Sequence, residues 1–137
     1  MTKPTNKDIL LVDTSVWVNS FKGILTKNSS FLRDNLNKIP IAICPIIVQE
    51  VLQGVPIERD IKTVESYFET LIRFNNEPYS LAIQAAQLYR MLRKKGVTIR
   101  KPNDCLIAIY AIYNDAFLIQ DDTDFEFIAK NCDLKLL

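Results

Sequence analysis

A run without a polar side chain, Ile9-Leu-Leu-Val12, gives way with no linker to Asp13-Thr-Ser15. Four residues are too few for a buried helix, and the β-branched ends suit a strand covered on both faces of a parallel sheet. Asp, Thr and Ser are helix N-cap types, and residues 16–21 continue at helical spacing, so the strand hands over directly to a helix. A carboxylate therefore stands at the C-terminal tip of the first strand. In parallel α/β sheets this is the edge at which ligand sites gather.

The rest of the chain repeats this alternation. Residues 40–44 form a second apolar run that stops at Pro45, and residues 46–52 then read as a helix ended by Gly54. Residues 58–71 are charged and apolar at roughly helical spacing, and residues 71–74 read as a short strand. The clearest helix covers residues 80–95, with Leu81, Ala85, Leu88, Tyr89 and Leu92 on one face. Arg90, Arg93, Lys94 and Lys95 crowd its end, and Gly96 is placed to cap it. Asn103 or Asp104 is expected to cap a further helix running to Tyr113. Residues 116–119 read as a strand, 124–130 as a short helix and 134–137 as a last strand. The pattern predicts a three-layer α/β domain with a mainly parallel sheet flanked by helices. The chain has 137 residues, three glycines and no repeat or low-complexity linker. A single domain over residues 9–137 behind a polar leader, residues 1–8, is therefore expected.

Composition narrows the chemistry. There is no histidine, which removes Ser-His-Asp and Cys-His nucleophiles and His-ligated zinc. Cys44, Cys105 and Cys132 are odd in number, widely separated and outside any CxxC. They read as reduced core thiols of a cytoplasmic protein. No stretch approaches the ~20 apolar residues of a membrane span. The formal charge is +1, so a polyanionic partner would have to be met by charge distribution rather than by net charge.

Acidic residues follow the strand-like runs: Asp13 after the first, and Asp121, Asp122 and Asp124 after residues 116–119. Glu50 and Asp104 lie inside apolar helical windows that contain no Lys or Arg. A lone buried carboxylate is expensive unless its charge is compensated. Taken singly, Asp13 and Asp104 read equally well as helix caps, and residues 121–124 as a solvated turn. Taken together, they suit a divalent cation, and an oxygen-only donor set points to Mg²⁺ or Mn²⁺ rather than zinc. Such an ion supports phosphodiester hydrolysis where no histidine is available.

Four segments in order, Leu10-Leu-Val-Asp-Thr-Ser-Val-Trp17, the Gln49-Glu50 helix, Thr98-Ile-Arg-Lys101 leading to Asp104, and Gln120-Asp-Asp-Thr-Asp-Phe125, resemble the PIN domain family. More narrowly, they resemble its VapC-type ribonuclease toxins. The resemblance implies that the first and fourth strands are neighbours. It implies a catalytic quartet of Asp13, Glu50, Asp104 and Asp122, a metal set of Asp13, Asp104, Asp122 and Asp124, and a supporting hydroxyl at Ser15. It further implies Mg²⁺-dependent cleavage of RNA, with Mn²⁺ as substitute, checked by a VapB-type antitoxin. Gln120 departs from the family, which often has histidine there. The alternative is a non-catalytic PIN-like module that binds RNA or protein, which would predict missing quartet acids. Two other classes fit less well. A dehalogenase-type phosphatase wants an acid where Ser15 stands, and a receiver domain wants one after residues 71–74, where Asn75 and Asn76 stand.

Arg100 and Lys101 immediately precede Asp104 and are read as RNA phosphate-binding residues, whereas Arg90 to Lys95 read as a solvated helix end. Trp17 reads as a packing residue, in the core or at a dimer contact, and Phe125 as an anchor for the last loop. A homodimer is expected, with Trp17 or residues 46–52 as candidate contacts.

Overall fold

In the computed structural model, which describes residues 7–137, the first apolar run becomes β1, Leu10–Val12, buried along its whole length. The elements that follow are α1, Thr14–Phe21; α2, Lys27–Asn35; β2, Ile41–Ile43; and α3, Pro45–Gln53. A 3₁₀ turn at Glu58–Asp60 then leads into α4, Ile61–Glu69, and β3, Ile72–Arg73. The chain continues with α5, Pro78–Lys94; α6, Asn103–Tyr113; β4, Phe117–Ile119; α7, Asp124–Ala129; and β5, Lys135–Leu136. Among the described residues the five strands form one sheet in the order β3-β2-β1-β4-β5, every pair parallel. Seven α-helices flank it. The anticipated leader falls mostly outside the described residues.

β1 is central because it is apolar throughout, and it pairs with β4 in the register Leu10↔Phe117, Leu11↔Leu118 and Val12↔Ile119. The ladder carries on past the strand, since Asp13 N–H donates to Ile119 C=O at 2.9 Å. The tips of β1 and β4 are thereby fixed side by side, as the motif resemblance implied.

The helix α1 packs on α2 and α3, while α5 packs on α6. Trp17 on α1 is 2% exposed; its indole N–H donates to Val12 C=O at 3.1 Å, and its ring meets Phe68 edge-on at 5.2 Å. Truncating such a ring costs about 3–5 kcal/mol. It is a core residue, so the expectation that it offers a dimer contact is wrong. Phe125 is fully buried, as expected of an anchor. Gly96 ends α5 with φ of 82°, a left-handed conformation that glycine adopts without strain.

Two local readings need correction. Neither Asn103 nor Asp104 caps α6: Pro102 occupies that position with helical φ, and no side chain caps the helix. Asp104 stands inside the first turn, its carboxylate not spent on capping. α2, for which the sequence reading made no provision, begins at Thr26, whose hydroxyl accepts from Ser29 N–H while Ser29 Oγ accepts from Thr26 N–H. That is a capping box with serine in the place of the usual Glu or Gln. All three thiols are free, and burial pushes Cys44 up to about 12 and Cys105 to about 11, the range of inert core cysteines. Among the described residues no helix is long and apolar enough to cross a membrane.

Candidate metal centre

The acidic residues converge where the tips of β1 and β4 meet the first turn of α6. Asp13, Glu50, Asp104, Asp121 and Asp122 line one pocket of about 500 Å³, together with Thr14, Ser15, Arg100 and Lys101. Asp104, Asp122 and Asp124 each bring a carboxylate oxygen within 4.8 Å of the others. Asp13 and Glu50 stand near enough to add their repulsion to Asp104. Every acid singled out in the sequence thus lies in or beside one site.

Local structure orients each of them. Asp13 caps α1: its Oδ2 accepts from Ser15 N–H at 3.1 Å and from Ser15 Oγ at 2.6 Å. Burial raises its pKa, and these two bonds work against that rise. Glu50, half-buried on α3, accepts from Thr14 Oγ1 at 2.8 Å. Asp122 accepts the Asp124 N–H at 3.0 Å, and its own N–H donates to Gln120 Oε1 at 2.7 Å. The sequence reading did not assign roles to Thr14 or Gln120. Thr14 could have been found as the middle residue of Asp-Thr-Ser.

The two cations at the rim distribute themselves unevenly. Lys101 Nζ lies 3.1 Å from Asp122, and Arg100 lies 3.5 Å from Asp122 and 3.4 Å from Asp124. Both side chains are largely exposed, 70% for Arg100 and 61% for Lys101. Burial pushes Asp122 up, but the Asp124 amide, Lys101 and Arg100 outweigh it and hold its pKa below the ordinary value. Asp104 gets little of this relief. Burial first, then Asp13 and Asp122, lift it to about 7.

Asp104 is 4% exposed, and its Oδ2 is buried with no hydrogen-bond partner among the described residues. An orphaned carboxylate oxygen costs about 1–3 kcal/mol or more when charged. The charges of Asp13 and Asp122 press on Asp104 more than Lys101 relieves it, so a further cation is the partner that would satisfy it. Oxygen donors alone, half of them already engaged, suit a hard divalent ion that keeps several waters. The residues fit the group.

The sequence of residues 10–131 matches the PIN domain family. The chain belongs to the PIN domain family. Among curated PIN-related proteins it is 33% identical over 129 residues to the VapC ribonuclease Mb1587 of Mycobacterium bovis, covering 93% of this chain and 96% of that one. The same figures hold for ribonuclease VapC11 of Mycobacterium tuberculosis. In three dimensions this PIN domain is similar to a chain in the crystal structure of VapBC2 from Rickettsia felis bound to a promoter DNA fragment, with a TM-score of 0.71. At 21% identity, covering 94% of this chain and 97% of that one, that likeness speaks to the fold.

Proposed function

We propose that this PIN domain is a metal-dependent endoribonuclease of the VapC type, acting in the cytoplasm on RNA phosphodiester bonds and held in check by a VapB-type antitoxin. The observation that carries the reading is Asp104: a buried carboxylate with an unpartnered oxygen, within reach of Asp122 and Asp124, in a chain 33% identical to named ribonucleases. Residues 9–137 form the catalytic unit in this reading.

Asp13, Asp104, Asp122 and Asp124 would hold Mg²⁺, with Mn²⁺ as substitute. When bound, the ion supplies a concentrated positive charge to the phosphoryl group under attack. Ser15 fixes the rotamer of Asp13. Glu50, steadied by Thr14 and still in contact with solvent, suits the removal of a proton from attacking water. Arg100 and Lys101 lie at the pocket rim with exposed heads, where they would take the phosphates on either side of the cut. The relatives solved as VapBC complexes support an antitoxin partner. A homodimer is part of the same reading, with the half-buried apolar residues of α3, Ile46, Val48 and Leu52, as contacts.

The test is RNA cleavage with Mg²⁺, with EDTA, and with Asp13→Asn and Asp104→Asn. Each substitution keeps shape while removing a charge, so cleavage should stop while the circular dichroism stays native. EDTA-treated protein that cuts as fast as the Mg²⁺-loaded form would overturn the reading.

A further inference from the structure

Asp121 sits between the residue that steadies the Asp122 amide and Asp122 itself, and it lines the same pocket. Sequence pattern alone groups it with the other acids. Its hydrogen bonds separate it from them. Oδ2 accepts from Asn19 Nδ2 at 2.9 Å and from Thr26 Oγ1 at 2.8 Å, and Oδ1 accepts from Asn28 Nδ2 at 3.0 Å. Both oxygens are engaged by neutral donors. Asn19 belongs to α1, Thr26 caps α2 and Asn28 lies in the first turn of α2, so one carboxylate ties the whole α1–α2 connection to the tip of β4. Asn28 adds a second tie, donating to Gln120 C=O at 2.6 Å.

The same residue reaches the acidic cluster through its backbone. Asp121 N–H donates to Ser15 Oγ at 3.0 Å, and that hydroxyl donates onward to Asp13 Oδ2 at 2.6 Å. The Ser15 oxygen accepts from Asp121 while its single proton goes to Asp13. A charged acceptor makes bonds roughly twice as strong as a neutral one, so the anchor gains from being a carboxylate even though it touches no cation.

We propose that Asp121 is a positioning residue and not a metal ligand: it clamps the α1–α2 connection to the β4 tip and, through its amide and Ser15, fixes the carboxylate of Asp13. The inference rests on the metal reading above and deepens it. Asp121→Asn keeps the size but turns an NH₂ toward Asn19, Thr26 or Asn28, which are donors already. Asp121→Ala leaves all three donors without their acceptor. Asn19→Ala removes one of the three donors and so weakens the clamp least.

The experiment measures hydrogen exchange of residues 22–30 in EDTA, Mn²⁺ affinity by calorimetry, and kcat and KM on RNA. It uses the wild type, the three clamp variants and Asp122→Asn. Exchange should accelerate in all three clamp variants, most in Asp121→Ala. Loss of support behind a ligand typically costs about ten- to hundred-fold in metal affinity or activity. The clamp variants should therefore lose kcat on that scale with KM nearly constant, Asn19→Ala least, and should bind Mn²⁺ more tightly than Asp122→Asn does. Exchange unchanged from the wild type would overturn the clamp. So would Asp121→Asn losing Mn²⁺ as completely as Asp122→Asn, which would make Asp121 a ligand. If Asp121→Ala fails to fold, Asn19→Ala carries the same two readouts. A wild type that binds no Mn²⁺ would overturn the metal reading, while the exchange arm, read in EDTA, reports on the clamp by itself.

Discussion

Asp104 and Asp122 share one acidic cluster yet are driven apart in pKa. Burial and the charge of Asp13 lift Asp104 to about 7, whereas the Asp124 amide, Lys101 and Arg100 hold Asp122 below its ordinary value. The cause lies in which element carries each. Asp122 follows β4 at the pocket rim, where the residues just before α6 reach it. Asp104 lies inside the first turn of α6, with its Oδ2 sealed from solvent. Environments that push two carboxylates apart assign them different protonation states at one pH.

The first consequence concerns divalent binding. Below about pH 7, an incoming cation must displace the proton on Asp104. Apparent Mn²⁺ affinity should then rise by up to about tenfold per pH unit below neutrality and level off above it. Calorimetry between pH 5.5 and 8.5 reads this directly. In Asp104→Asn the slope should become shallower, with Asp13, whose pKa burial also raises, as the remaining source, and a wild type with flat affinity across that range would show that Asp104 is not a ligand.

A second consequence concerns the ion-free fold. Asp104 has a folded pKa raised from 3.8 to about 7, so the native state binds the proton more tightly than the unfolded chain does. Its stabilising contribution is complete below about pH 4 and is lost as pH rises through 7. Asp104→Asn escapes that loss. In EDTA the variant should overtake the wild type between pH 5 and 8 and be more stable at pH 8 by about 1–3 kcal/mol. Asp122 has the opposite sign: its lowered pKa contributes stability above the unfolded value that is lost only in acid. Asp122→Asn should therefore weaken the fold at neutral pH. Thermal melts of both variants in EDTA check the pair, and two shifts of the same sign would refute it.

Much of this was legible from the chain. Apolar runs of four or five residues, each ended by a turn or cap signal, mark β1, β2 and β4 because a fully covered strand has no room for a polar side chain. The acids at their ends and inside apolar helices stand out because burial needs compensation. α2 was not legible. Lys27–Asn35 is rich in Asn and Ser, poor helix formers, and it is held by a serine-based capping box and by Asp121, which lies more than ninety residues away. The cap of α6 is not legible because Asn103 and Asp104 are cap types by chemistry, while the backbone turns helical one residue earlier, at Pro102. The chain alone does not decide between core and dimer contact for Trp17, because only tertiary structure supplies the rings of Tyr67 and Phe68 around it.

The ion pairs of Lys101 and Arg100 also escape a linear reading, and they alter what substitution should do. Sequence proximity suggests phosphate contacts independent of the metal. The geometry gives Lys101 a second tie, to Asp122 at 3.1 Å. Lys101→Ala should weaken RNA binding and lower its salt slope by about one unit or less. It should also tighten Mn²⁺ binding several-fold, since it removes a competing charge, worth about 1 kcal/mol at an exposed head. RNA titrations at several salt concentrations, with Mn²⁺ calorimetry alongside, separate the two effects. An unchanged salt slope would place Lys101 off the RNA path.

The same charge pattern constrains how an antitoxin would silence the site. Among the described residues, Asp13, Glu50, Asp104, Asp121 and Asp122 face the pocket against Arg100 and Lys101, and Asp121 is already spent on neutral donors. The deficit is concentrated at Asp104, whose buried oxygen lacks a partner. A guanidinium suits that gap, being permanently charged, weakly hydrated and able to bridge two carboxylates with parallel bonds. An inhibitory arm that inserts an arginine there must compete with the divalent ion. Once Mg²⁺ exceeds its own dissociation constant, the apparent Kd of the complex should rise in proportion to Mg²⁺, and replacing that arginine by alanine should restore cleavage. Because Lys101 repels an incoming guanidinium as it does a metal ion, Lys101→Ala should tighten the complex as well. If Mg²⁺ leaves the complex untouched and the alanine arm still inhibits fully, inhibition works by covering the RNA surface away from the carboxylates.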